Sequence, residues 1–309
     1  MSETAIPKPL KPSATKQRQN EGDGQTASRG EGRIVRRFRE TGSRGELGIV
    51  AYLTAGDPTL AASERIILAA AEAGADVIEL GVPFSDPVAD GPTIQRASER
   101  ALRGGATLAG VLDLARRVRA RTEVPLVLFS YYNPVLQMGL EKFARAAAEA
   151  SIDGVLATDM TPEESPEYRG ILQAQGLDTI FLGAPTSTDE RLAAIAECSS
   201  GFLYLISRTG VTGARESLPE ELPALVRRAR KFTKLPIAVG FGISQPEHVT
   251  GLAGIADAAV VGSALVAEVE KAATADSTGE MAAEAVARRI RALKAAARVG
   301  GVRPASDSD

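Results

Sequence analysis

From position 48 onward the chain alternates short apolar runs with longer stretches whose apolar residues recur at helical spacing. The runs are GIVAYLT (48–54), VIELGV (77–82), PLVLF (125–129), GVLAT (154–158), TIFL (179–182), FLYLI (202–206), PIAVG (236–240) and AAVVG (258–262). Between and after them the spacing predicts helices over 60–74, 93–103, 107–120, 140–150, 163–175, 188–197, 218–232, 246–253, 263–271 and 278–296. Ile34, Val35 and Phe38 predict one more short helix before the first strand. Unbroken Val/Ile/Leu runs mark strands buried on both faces, and a strict strand–helix repeat forces parallel pairing. Eight such units over roughly 260 residues suit a closed barrel. The expectation is therefore an α/β chain: a single (β/α)8 TIM barrel with an extra N-terminal helix and disordered tails. A doubly wound open sheet is the alternative, but TAGDPTL after the first strand is not a nucleotide-binding fingerprint.

Residues 1–30 are rich in Pro, Ser, Gly, Gln, Lys and Glu and nearly free of large apolar side chains. Such a segment cannot bury enough surface to offset its ordering entropy, so 1–30 is expected to be a disordered, solubilising tail. The barrel is expected over 31–298 and a flexible C-terminal tail over 299–309.

Charge narrows the classes of partner. Among 309 residues, 36 Lys and Arg face 39 Asp and Glu, a net charge of −3, so neither nucleic acid nor an anionic membrane is indicated. There is no apolar run of about 18 residues and no apolar signal core, and a cytoplasmic protein is expected. A single cysteine, Cys198, excludes a disulfide framework and a cysteine-rich zinc site. A single histidine, His248, excludes a two-histidine metal site, and on an expected helix start it reads as a solvated side chain. No metal site is expected. Carboxylates, hydroxyls, tyrosines, lysines and backbone amides must carry any chemistry.

In such a barrel, sites form at the C-terminal ends of the strands and in the loops that follow. Glu79 lies inside VIELGV; strand alternation turns Ile78 and Leu80 toward the helices and Glu79 into the barrel, near its mouth. Burial should raise its pKa, which suits a group that both gives and takes protons. The next loop, PFSDPVADGP (83–92), is long, stiffened by prolines, and carries Asp86 and Asp90. Either aspartate could instead serve as a turn or helix cap. Glycine-rich turns follow the last strands: SRTGVTGAR (207–215), GFGIS (240–244) and GSA (262–264). Backbone amides at the last two of these turns, with the Ser263 hydroxyl, are expected to bind phosphate, and the absence of Lys and Arg from both points to recognition by neutral amides. Only 4% of residues are aromatic, yet Tyr52, Phe129, Tyr131, Tyr204 and Phe241, with Leu156, fall at strand ends. Together they suit a flat apolar ligand.

These motifs resemble the tryptophan synthase alpha chain family. The resemblance rests on YLTAGDP (52–58), ELGVPFSDPVADGP (79–92), SRTGVTGA (207–214), GFGIS (240–244) and VVGSALV (260–266), and it covers about residues 32–297 in order. It implies a cofactor-free retro-aldol cleavage of indole-3-glycerol phosphate to indole and glyceraldehyde 3-phosphate, a step of tryptophan biosynthesis. By matched position it implies Glu79 as the acid/base, Asp90 as the anchor of the indole N–H, and Tyr204 near the glycerol portion. It implies Gly213, Gly242, Gly262 and Ser263 at the phosphate, with Phe241, Tyr52, Phe129 and Leu156 around the substrate. Thr212 would close onto Asp90 and Arg208 would anchor that loop. The family pairs with a pyridoxal-phosphate beta chain as an α2β2 heterotetramer, and Asp86 would lie on the docking surface; the pyridoxal phosphate belongs to the partner. The chain departs from the commoner family residues at Tyr52, at Leu128–Ser130 and around Met160, all near the expected indole pocket.

Three other readings stay open at this point: a free-standing indole-releasing lyase, a non-catalytic activator of a beta chain, and a sister phosphate-binding isomerase or synthase.

Overall fold

The computed structural model describes residues 31–207, 218–240 and 242–299. The tail expected over 1–30 and residues 300–309 of the tail expected over 299–309 lie outside the described residues; residue 299 of that tail instead ends the last helix. Among the described residues the strands are β1 (Gly48–Thr54), β2 (Val77–Gly81), β3 (Leu126–Ser130), β4 (Gly154–Ala157), β5 (Asp178–Ile180), β6 (Leu182–Gly183), β7 (Leu203–Ile206), β8 (Ile237–Gly240) and β9 (Ala258–Val261). The helices are α1 (Arg33–Ser43), α2 (Leu60–Glu72), α3 (Pro92–Arg103), α4 (Leu108–Arg119), α5 (Tyr132–Met138), α6 (Leu140–Glu149), α7 (Pro166–Ala174), α8 (Asp189–Cys198), α9 (Leu222–Arg230), α10 (Pro246–Leu252), α11 (Ser263–Ala273) and α12 (Glu280–Val299). None of these helices is long and apolar enough to cross a membrane.

The strands pair in the order β5-β4-β3-β2-β1-β9-β8-β7-β6, and every pairing is parallel. The two ends of that order, β5 and β6, are halves of one extended stretch interrupted at Phe181. The sheet therefore returns on itself, and the expected (β/α)8 barrel with its extra N-terminal helix is what forms. TIFL, read as one strand, is split in two: its first half pairs with β4 and its second with β7, and the Phe181 carbonyl between them accepts from the Tyr204 N–H at 3.3 Å.

Strand alternation sorts the core into two clusters. Ile49, Leu53, Ile78, Leu80, Leu126 and Leu128 pack outward against the helices. Val50, Tyr52, Val77, Val127, Phe129, Leu156 and Tyr204 fill the barrel interior. Helix starts follow local chemistry as well: Thr59, Thr107 and Thr188 accept from the N–H groups of Ala62, Gly110 and Arg191 at 3.1–3.2 Å, capping α2, α4 and α8. The expected 218–232 helix is confined to Leu222–Arg230, and α5 occupies a stretch the sequence pattern left unassigned.

The lower rim is built on a repeated device. Asp76, just before β2, accepts from the Ile49 N–H at 2.8 Å and from Lys294 Nζ at 2.6 Å. Asp153, just before β4, accepts from the Leu126 N–H and from Arg119, each at 2.8 Å, and from Arg33 at 3.0 Å. Asp257, just before β9, accepts from the Ile237 N–H at 2.8 Å and from Arg230. Charge-assisted bonds of this kind contribute roughly 1.5–3 kcal/mol each. They tie α1, through Arg33, and α12, through Lys294, to the barrel floor. Stability is thus invested at this end, leaving the opposite rim for chemistry.

Candidate active site

Glu79 sits mid-strand in β2, beside Tyr52 of β1 and Val127 of β3. Its side chain turns into the barrel, as alternation predicts, and is 0% exposed. Neither carboxylate oxygen has a hydrogen-bond partner among the described residues. Stripped of water, the charged form is disfavoured, and burial pushes the pKa up to about 8. An unpartnered buried carboxyl costs stability and is retained where a ligand or a reaction uses it.

Asp90 closes the long loop after β2. The residue at the cap position of α3 is Gly91, which makes no side-chain capping bond, and Pro92 opens the helix. The Asp90 carboxylate accepts instead from the Tyr131 hydroxyl at 3.2 Å, and Tyr131 Oη in turn accepts from the Ala89 N–H at 2.9 Å. The Asp90 carbonyl accepts from Gln95 Nε2 at 2.9 Å, pinning the loop to α3. Burial raises the Asp90 pKa to about 6, while the Tyr131 hydrogen bond pulls it down. Asp86 lies on the exposed outside of the same loop, where it accepts from Ser85 Oγ at 2.5 Å, and Val88 beside it is 84% exposed.

A cavity of about 480 Å³ opens at this rim, lined by Tyr52, Glu79, Asp90, Ile94, Phe129, Tyr204, Gly242, Ile243, Val260, Gly262 and Ser263. Eight of the residues singled out in the sequence thus come together there: the two carboxylates, three aromatics, two glycines and Ser263. Leu156 is fully buried in the layer beneath and does not line the cavity. Arg208, Thr212, Gly213 and Phe241 lie outside the described residues. Two tyrosine hydroxyls lean over the neighbouring strand to places where only glycine fits. A Cβ on Gly81 would lie 2.2 Å from Tyr52 Oη, and one on Gly240 would lie 2.1 Å from Tyr204 Oη.

The opposite wall is polar backbone. Gly242 holds φ +88°, a conformation that favours glycine. Gly262 precedes α11, whose first turn begins at Ser263 with no side-chain cap, and both Gly262 and Ser263 line the cavity. Among the described residues no Lys or Arg lines this cavity. Sequence reasoning missed Ile94, four positions beyond Asp90, Ile243, next to Gly242, and Val260, which is recoverable from the inward alternation of β9. It noted Tyr131 but not its bond to Asp90. His248 is a correction: it is buried, 4% exposed, rather than solvated, because its Nδ1 accepts from the Ser244 N–H at 3.2 Å. Among the described residues no three His, Cys, Asp or Glu side chains cluster to hold a metal ion.

A family model described as the tryptophan synthase alpha chain matches residues 38–298. The tryptophan synthase alpha chain of Solibacter usitatus is 53% identical over 239 residues, which is 77% of this chain and 90% of that one. That of Geobacter sulfurreducens is 48% identical over 250 residues, 81% of this chain and 95% of that one. Among solved structures, a Mycobacterium tuberculosis tryptophan synthase chain superposes with a TM-score of 0.79 at 36% identity, covering 87% of this chain and 99% of that one. The Legionella pneumophila tryptophan synthase alpha chain does so with a TM-score of 0.77 at 34% identity, covering 86% and 97%.

Proposed function

This chain belongs to the tryptophan synthase alpha chain family, and we propose that the rim cavity is where it works, with Glu79 moving the protons and Asp90 holding the ring. The enzyme is a carbon–carbon lyase that cleaves indole-3-glycerol phosphate to indole and glyceraldehyde 3-phosphate in tryptophan biosynthesis.

The observation that carries the residue assignment is Glu79: fully buried, unpartnered, and lining the rim cavity together with Asp90 and three aromatic side chains. A pKa near 8 keeps its carboxyl protonated in the free enzyme at neutral pH. It can therefore begin as an acid. Proton transfer to indole C3 breaks the ring's aromaticity and leaves a cationic indolenine. The Glu79 carboxylate so formed takes the proton from the hydroxyl on the adjacent glyceryl carbon. The C3–C1′ bond then breaks, its electrons restoring the indole, and the aldehyde departs. One proton given and one received return Glu79 to its starting state. Asp90, with a pKa near 6, is the carboxylate of the pair at neutral pH. It accepts from the indole N–H and offsets the positive charge that develops there. Two carboxyls with pKa values pushed apart supply two different roles.

Tyr52, Phe129, Ile94 and Val260 supply the flat apolar walls, and Leu156 backs them from below. Tyr204 faces the glycerol portion. Gly242, Gly262 and Ser263 receive the phosphate through backbone amides and one hydroxyl. Gly213 and Phe241 belong to the same reading, as do Thr212 closing over Asp90 and Arg208 anchoring that loop. The catalytic unit is the barrel over 31–298. It needs no cofactor of its own; pyridoxal phosphate would sit on a beta chain docked over the exposed Asp86 loop in an α2β2 assembly. A charged phosphate does not cross a bilayer unaided, so the substrate and the enzyme are placed in the cytoplasm.

Release of indole from indole-3-glycerol phosphate by the purified chain tests this, with Glu79→Gln and Asp90→Asn compared. Both variants should fold and lose roughly 10²-fold or more in turnover. Near-normal turnover in either would remove that residue from the mechanism.

A further inference from the structure

The turn after β8 carries Gly242 and Ile243 along the cavity wall, and then Ser244, 2% exposed, turns away from it. Ser244 is held entirely by its backbone. Its N–H donates to His248 Nδ1 at 3.2 Å, and its carbonyl accepts from Arg289 Nη2. Its own hydroxyl oxygen has no partner among the described residues. His248 reaches the turn from α10, and Arg289 from α12, where it also donates to Gln245 Oε1 at 3.3 Å. Two elements that touch no substrate thus grip the backbone at the residue where the wall ends.

We infer that His248 and Arg289 are positioning residues for phosphate recognition: they clamp both backbone groups of Ser244 and so fix the Gly242–Ile243 backbone where an anion can be met by its amides. The inference rests on the reading that Gly242, Gly262 and Ser263 form the phosphate site. The physical need is clear. Amide donors carry no spare reach, unlike a Lys side chain, so their placement sets their worth, and a shift of about 1 Å can cost up to 10²-fold. Gly242 at φ +88° is one of several conformations open to glycine, which has no side chain of its own to hold it there. To accept from an N–H, Nδ1 must carry the lone pair, so the imidazole acts here as an acceptor, and its δ position is what matters.

The full-length chain tests the clamp through its affinity for sn-glycerol 3-phosphate, measured by calorimetry, beside kcat and KM for indole-3-glycerol phosphate. In His248→Leu and in Arg289→Met, affinity for sn-glycerol 3-phosphate should fall, and KM rise, by about tenfold, with much smaller effects on kcat and on indole affinity. His248→Asn places Oδ1 where Nδ1 stood and should restore binding to within about threefold of the parent. Folded His248→Leu and Arg289→Met chains that bind sn-glycerol 3-phosphate as tightly as the parent would overturn the clamp. So would an Asn variant as weak as the Leu variant, since the imidazole would then merely fill space. Gly262→Asp is the separate control, because it sets a negative charge at the start of α11. If it leaves sn-glycerol 3-phosphate binding unchanged, the phosphate site itself is misplaced and the clamp falls with it. If it abolishes binding while the clamp variants do not, only the clamp fails.

Discussion

Tyr131 donates its hydroxyl to the Asp90 carboxylate at 3.2 Å, from a position 41 residues further along the chain. The same oxygen accepts from the Ala89 N–H, so one phenol orients both the carboxylate and the loop that carries it. This bond works against burial: desolvation raises the Asp90 pKa to about 6, and the Tyr131 hydroxyl, by stabilising the charged form, keeps it from rising further.

Tyr131→Phe should therefore raise the Asp90 pKa. In the proposed mechanism the ionised form holds the indole N–H, so the acidic limb of the kcat/KM profile should move to higher pH, with a loss of about fivefold to tenfold at neutral pH. A limb that stays in place would separate Tyr131 from Asp90.

Glu79 should make the protein less stable as pH rises. Its folded pKa of about 8 lies above its unfolded value of 4.5, so between those values the folded state binds more protons and stability falls with increasing pH. Glu79→Gln removes that dependence. In urea unfolding the variant should match the parent near pH 4 and exceed it increasingly toward pH 8, by up to on the order of 4 kcal/mol. A constant difference across that range would contradict the burial of an unpartnered carboxyl.

Gly81 and Gly240 are expected to resist even alanine, because the clash is with the ring and hydroxyl of a tyrosine packed in the barrel. Gly240→Ala should cost about 1–3 kcal/mol from overpacking and should reduce activity by displacing Tyr204. Thermal unfolding and indole release, measured together, check both effects. Unchanged values would mean that Tyr204 swings aside without consequence.

The Asp57–Arg100 pair ties the loop after β1 to α3, and Glu270 continues the link to α11, so the helix after Asp90 is joined to the helix at the proposed phosphate site. Asp57 is 2% exposed, and Arg100 contacts it through two bonds of 2.8 Å. Arg100→Met should cost roughly 3–5 kcal/mol by stranding a buried carboxylate. Asp57→Leu combined with Arg100→Leu should recover much of that loss. Equal losses in the single and double variants would show that the packing, rather than the stranded charge, is what matters.

The barrel and the placement of Glu79 are legible in the sequence for one reason. Strands buried on both faces leave unbroken apolar runs, and a lone carboxylate in such a run has only the interior to face. The glycines of the proposed phosphate wall stand out in the sequence because they cluster at the turns after the last strands. What escapes the pattern depends on distant partners. The Tyr131–Asp90 bond joins residues far apart in the chain, and His248 looks solvated until the turn at Ser244 is folded against it. The helix α5 is short and carries Pro134 in its first turn, so its signal merges with a loop. The split at Phe181 is set by barrel closure, which no local signal encodes. Asp76, Asp153 and Asp257 look like ordinary turn residues until the strand ends they bind are brought together.

Indole release by the purified chain and by its Glu79→Gln variant, each with and without a beta chain, bears most directly on Glu79 as the proton shuttle. The account predicts release by the parent that rises when beta chain is added, and a drop of roughly 10²-fold or more in the folded variant under both conditions. A Glu79→Gln enzyme that releases indole at close to the parent rate would contradict it.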